Sequence, residues 1–144
     1  MTTLVRHMLA NKSDVHTVSP DDTVLDALRV MADHNIGAVL VMNDDALAGI
    51  LSERDYARKM VLHGKASRDT LVGEVMTSHV VSVTPAWSCD QCMSLMTERH
   101  VRHLPVVQDG RVVGVISIGD VVRAVLGEHK TTITTLEHYI MSGG

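Results

Sequence analysis

Two stretches of this sequence set the same side chains in the same order: Gly49-Ile50-Leu51-Ser52-x-x-Asp55 and Gly114-Val115-Ile116-Ser117-x-x-Asp120, each with an arginine three positions on, Arg58 and Arg123. Each Ser-x-x-Asp closes an apolar run and opens a helical pattern, which puts the serine at or near the N-cap and the aspartate in the first turn. A helix N-terminus offers unpaired N–H groups and a positive dipole end, which suit a phosphate. The hydroxyl adds a donor, and the carboxylate can accept two hydrogen bonds from a vicinal diol such as that of ribose. Phosphate plus diol is nucleotide chemistry. The same residues also serve plain helix capping, and one copy alone would not separate the two readings.

The elements that must position these residues are duplicated too. Residues 15–58 align with residues 80–123 without a gap, matching Val18 with Val83, Pro20 with Pro85, Met31 with Met96, Val41 with Val106, and Asp44 with Asp109. This is an internal repeat. Ahead of each unit Thr3-Leu4-Val5 recurs as Thr70-Leu71-Val72, at a slightly longer spacing. Within repeat 1, residues 16–20 read as a short strand, Asp21, Asp22 or Thr23 can cap the next helix, and Val24, Ala27, Leu28 and Met31 form its apolar face. Two short strands and a second helix ending near Gly64 complete the unit, and repeat 2 follows the same order with an Asp109-Gly110 hairpin turn. The expected class is α+β (α/β), two β-α-β-β-α repeats packed as a pseudo-symmetric pair. The boundaries read as 1–64 for repeat 1 with its lead-in, 65–79 for the linker and second lead-in, 80–127 for repeat 2, and 128–144 for a tail helix carrying Ile133, Leu136 and Ile140.

Composition narrows the function. The chain has 144 residues, 45% of them apolar, which suffices for a core of Leu, Val, Ile, Ala and nine Met without any Phe. A formal net charge of -4 leaves no basic footprint for nucleic acid. No run is long and apolar enough for a membrane span, and no signal peptide is evident, so the expected location is cytoplasmic. G-x-S-x-G, P-loop and G-x-G-x-x-G patterns are absent, which argues against an enzyme. Cys89 and Cys92 form a C-x-x-C, yet they align with Val24 and Ala27 on the apolar helix face, so they read as buried thiols rather than a metal site. Trp87 aligns with Asp22 at a helix start, a position suited to a subunit contact.

With Thr17-Val18-Ser19-Pro20, Ser82-Val83-Thr84-Pro85, Val101-Arg102-His103-Leu104-Pro105 and the two glycine-started motifs in hand, the chain resembles the tandem cystathionine β-synthase (CBS) domain family over roughly Thr3 to Leu126. The resemblance implies a regulatory module that binds an adenosyl ligand between its repeats: AMP, ADP or ATP first, with NAD(H) or S-adenosylmethionine as other choices, and no metal required. It implies that Asp55 with Ser52, and Asp120 with Ser117, hold ribose and phosphate; Arg54, Arg58 and Arg123, at helix starts that naturally expose such residues, are weaker phosphate candidates. Thr17, Pro20, Ser82 and Pro85 would line the adenine. Arg102 and His103 stand where repeat 1 has Gly37 and Ala38 beside Ile36, so they are expected to reach the phosphates of the ligand held by Asp55, leaving the Asp120 site roomier and less positive. The resemblance further implies a homodimer through the helices after each motif, with Tyr56, Met60, Val121 and Val125 as contacts, and output to an effector protein. A ligand-free scaffolding dimer and a thiol or metal sensor are the alternatives.

Overall fold

The computed structural model of the protein describes residues 2–10, 12 and 15–141, with residues 130–141 as helix backbone only. Helix and strand are mixed, as expected. A short helix α1 (Val5–Leu9) precedes β1 (Thr17–Val18), α2 (Val24–His34), β2 (Ala38–Asn43) and β3 (Ala46–Ser52). Thr23 caps α2 by accepting the Asp26 N–H at 3.1 Å, and Asn35 ends it in the left-handed region at φ 53°. Val24, Ala27 and Met31 are buried along the predicted face, against Val39, Val41 and Leu51 of the sheet. β1 runs parallel to β2, pairing Thr17 with Leu40 and Val18 with Val41, and β2 runs antiparallel to β3.

After β3 the chain departs from one regular helix. Helix α3 (Glu53–Asp55) passes into a π-helical turn (Tyr56–Met60) and a 3-10 turn (Val61–His63) before Gly64 stops it at φ 66°. Met60 thereby points into the core with no exposure, which removes it as a dimer contact. Helix α4 (Val72–Val75) follows, then α5 (Cys89–Arg99), β4 (His103–Gln108), β5 (Arg111–Ser117) and α6 (Ile118–Met141). Asp109 and Gly110 turn the β4–β5 hairpin with positive φ at both residues. No break separates α6 from the tail helix expected over 128–144; the side chains of Ile133, Leu136 and Ile140 and residues 142–144 lie outside what is described. Val121 is fully buried on α6, so it too is withdrawn from the expected dimer face.

The expected first strand of repeat 2 shrinks to one parallel bridge, Val83 to Val106. The cause is Pro105, which stands where repeat 1 has Leu40 and lacks the N–H needed to extend the ladder. Its carbonyl still accepts the Val83 N–H at 3.0 Å, and Val83 in turn accepts the Val107 N–H at 2.8 Å.

Two compact units result. One comprises Asp14–Val81 with Asp109–Val113; the other comprises Met1–Ser13, Ser82–Gln108 and Gly114–Gly144. Each lead-in thus packs on the repeat it does not precede in sequence. In the first unit the Val24 N–H donates to Thr70 at 2.9 Å, Val72 to Asp22 at 2.8 Å and Gly73 to Pro20 at 2.9 Å. The second unit repeats those bonds at equivalent residues: Cys89 to Thr3 at 2.9 Å, Val5 to Trp87 at 2.7 Å and Arg6 to Pro85 at 3.0 Å. The motif glycines make room for the crossing segments. A Cβ on Gly49 would stand 2.6 Å from the Thr77 carbonyl oxygen, and one on Gly114 would stand 2.6 Å from Leu9 Cδ2.

Candidate functional site

Each motif serine ends a strand in extended backbone, and each motif aspartate turns back onto it. Ser52 is the N-cap of α3: its hydroxyl accepts the Asp55 N–H at 3.1 Å, and the Asp55 carboxylate accepts the Ser52 N–H at 3.0 Å. Ser117 and Asp120 repeat the pair at 3.2 and 2.8 Å. The start of each motif helix is tied to the preceding junction in the same way, Glu53 N–H to the Gly37 carbonyl at 3.0 Å and Ile118 N–H to the Arg102 carbonyl at 2.8 Å. Capping therefore orients both carboxylates, and the surroundings differentiate them.

Asp55 also accepts from the Ser52 hydroxyl at 3.0 Å and, on its other oxygen, from the Thr77 hydroxyl and the Lys59 ammonium, both at 3.2 Å. Lys59 reaches back one helical turn and donates to the Val75 carbonyl at 3.0 Å. Asp120 holds two cations: Lys12 Nζ at 2.6 Å from Oδ2 and the Arg123 guanidinium at 2.7 Å from Oδ1. Burial works to raise the Asp120 carboxyl, but Lys12 and the Ser117 N–H outweigh it and hold the group below its ordinary value. His103, half-buried as the first residue of β4, is lowered by burial and by the nearby Lys12, against the pull of Asp120. The expectation of a less positive Asp120 is corrected here: its own unit supplies Lys12 and Arg123.

The remaining expected residues fall at element edges. Arg102 is exposed at the bend before β4, Thr17 and Ser82 are exposed, Pro20 and Pro85 are partly buried, and Ile36, Gly37 and Ala38 form the α2–β2 junction. Arg54 lies exposed in the first turn of α3. Lys12 and Thr77 were absent from the expected set because each belongs to a lead-in, and only the exchange of lead-ins brings them to the motifs.

Cys89 and Cys92 are fully buried, as their alignment with Val24 and Ala27 implied. Burial pushes both thiols up to about 11, assisted at Cys89 by Glu128, which accepts its S–H at 3.4 Å. The expected outcome is that neither thiol reacts with a disulfide reagent at neutral pH until the chain unfolds, and rapid reaction of the folded protein would contradict this burial. Glu128 also accepts the Thr3 N–H, and that bond is the leading influence holding its carboxyl down. Among the described residues, the ligand atoms of Cys89, Asp90 and Glu128 lie within 4.8 Å of one another, a grouping hidden in sequence by the distance from Asp90 to Glu128.

Comparison with known proteins gives this geometry its context. The family model for the CBS domain matches residues 5–62 and 72–127. The chain is 45% identical over 128 residues to the mitochondrial CBS domain-containing protein CBSX3 of Arabidopsis thaliana, covering 85% of this chain and 62% of that protein's length. It matches a protein with CBS domains from Burkholderia ambifaria at TM-score 0.84 and 47% identity, over 87% of this chain and 95% of the other. The CBS domain pair of protein MJ0100, solved with 5′-methylthioadenosine and S-adenosyl-L-methionine, matches at TM-score 0.78 and 25% identity, over 89% of this chain and 99% of the other. A hexameric CBS-CP12 protein from bloom-forming cyanobacteria matches at TM-score 0.77 and 25% identity, over 85% of this chain and 71% of the other.

Proposed function

We propose, from the premise that this chain belongs to the CBS domain family, that it is a regulatory module whose two Ser-x-x-Asp motifs bind an adenosyl ligand, with AMP, ADP or ATP ahead of NAD(H) and S-adenosylmethionine. The observation that carries the reading is the repeated placement of a carboxylate, held by a serine N–H at the end of a strand, at both motif positions. The adenosyl ligands in the MJ0100 pair support the ligand class. In this reading Asp55 and Asp120 each accept a ribose diol, Ser52 and Ser117 assist with phosphate, Arg102 pairs with phosphate oxygens, and the strand ends at Thr17, Pro20, Ser82 and Pro85 line adenine. Ligand shifts the module between conformations by binding one more tightly than another, and an effector protein reads the result. No catalytic step and no nucleic acid enter this reading.

Self-association belongs to the same proposal. With Met60 and Val121 withdrawn, the partly buried Tyr56 and Val125 remain for a homodimer, beside the exposed Val61 and Leu62 in repeat 1 and Val122 and Leu126 in repeat 2. A cytoplasmic location is likewise proposed; no helix among the described residues is long and apolar enough to cross a membrane. One observation favours a ligand-free scaffold instead: every Asp55 acceptor direction already faces a donor of its own unit. A thermal-unfolding panel separates the two. A ligand at a hundred times its Kd is expected to add about 2.7 kcal/mol to stability. No shift from any adenosyl ligand would leave the motifs as helix caps in a scaffold.

A further inference from the structure

We propose that Lys12 sets the charge of the ligand accepted at Asp120, selecting a nucleoside phosphate over neutral or cationic adenosyl compounds. This rests on the reading of Asp120 as a ribose-binding group.

A carboxylate has about four acceptor directions. At Asp120 the Ser117 N–H and Lys12 take Oδ2 while Arg123 takes Oδ1, so a diol that needs two must displace a cation. The Ser117 N–H is backbone at the helix cap and stays. Arg123 is 72% exposed and moves into water at little cost. Lys12 is different, because it is 34% exposed and its ammonium also donates to the Val115 carbonyl at 2.7 Å. When a ligand displaces Arg123 and takes Oδ1, Lys12 keeps both its bonds and holds its positive charge beside the bound ribose. A 5′-phosphate finds a partner there, whereas a sulfonium meets a like charge.

Repeat 1 places its cation differently. Lys59 on Asp55 belongs to the same helical stretch and is tied to the Val75 carbonyl at 3.0 Å, and the lead-in contributes the neutral hydroxyl of Thr77 rather than a charge. His103 is lowered by burial and by Lys12, which works against its charged form, and Lys12 is the anchored cation on the Asp120 carboxylate. Gly119 stands where repeat 1 has Arg54 in the first helical turn, so repeat 2 has no cation at that position.

The test is calorimetric titration of Asp55→Asn protein, in which Asp120 is the remaining motif carboxylate, with ATP, AMP, adenosine and S-adenosylmethionine. The phosphates are expected to bind at least about tenfold more tightly than adenosine. Adding Lys12→Gln is expected to weaken ATP about tenfold while adenosine stays within about twofold, and Lys12→Arg is expected to retain the preference. An unchanged preference in Lys12→Gln, or an equal loss for adenosine, overturns the proposal. If wild type binds these ligands but Asp55→Asn binds none, the Lys12 proposal falls alone. If wild type also binds none, the underlying ribose reading falls with it.

Discussion

Removing residues 1–12 is expected to destabilise the unit built on repeat 2 rather than merely shorten the chain. That segment supplies the fully buried Val5, backbone hydrogen bonds to Cys89, Trp87 and Pro85, the cover over Gly114, and the Lys12 bond to Asp120. Burying one valine is worth about 1.5 to 3 kcal/mol and each hydrogen bond about 0.5 to 1.5, so a loss of about 4 kcal/mol is expected. In a chain of this length that lowers Tm by about 10 °C. Thermal unfolding followed by circular dichroism measures it. Val5→Asp should reproduce much of the effect, while Val113→Asp, at an exposed position of β5, should not. A truncated protein within a degree of wild type would contradict the exchange of lead-ins.

The second large effect is expected at Gly49. A methyl group there would meet the Thr77 carbonyl oxygen at 2.6 Å and Met76 Sδ at 2.8 Å. The Thr77 carbonyl cannot withdraw freely, because it accepts the Ile50 N–H at 2.9 Å and the Thr77 N–H returns to Ile50 at 2.9 Å. Gly49→Ala must therefore break that two-bond bridge or bend β3, at a cost of about 2 to 3 kcal/mol. Gly114→Ala faces the far end of the Leu9 side chain, which can rotate away, and should cost about 1 kcal/mol or less. Urea unfolding of the two variants compares them directly. Equal losses would mean that the crossing segments do not set the two glycines apart.

How much of this was legible in the sequence depends on which interaction decides each feature. Repeat periodicity, the caps at Thr23 and Ser52, the Asp109-Gly110 turn and the burial of Cys89 and Cys92 are local or alignment-based, and they follow from residue type and spacing. The doubled Thr-Leu-Val was also visible, but its spacing carries no information about which repeat each copy would cover. Lys12 and Thr77 were consequently missed as partners of the motif aspartates, and Asp120 was expected to be less positive than it is. Pro105 stands within Val101-Arg102-His103-Leu104-Pro105, yet its missing N–H decides a strand only once its parallel neighbour is known. Met60 and Val121 lay in the right helices, but with α3 passing into a π turn, helical spacing alone could not say which face of repeat 1 meets the core.

Binding of an adenosyl ligand by the motif aspartates is tested by calorimetric titration of wild type, Asp55→Ala, Asp120→Ala and the double variant with AMP, ATP and S-adenosylmethionine. Each single variant is expected to lose one component of binding and the double variant all of it, with Tm values of the unliganded proteins showing that the fold persists. Binding that survives in the double variant, or no heat from any of these ligands with nucleotide-free wild type, would rule out the motif aspartates as ligand-binding groups.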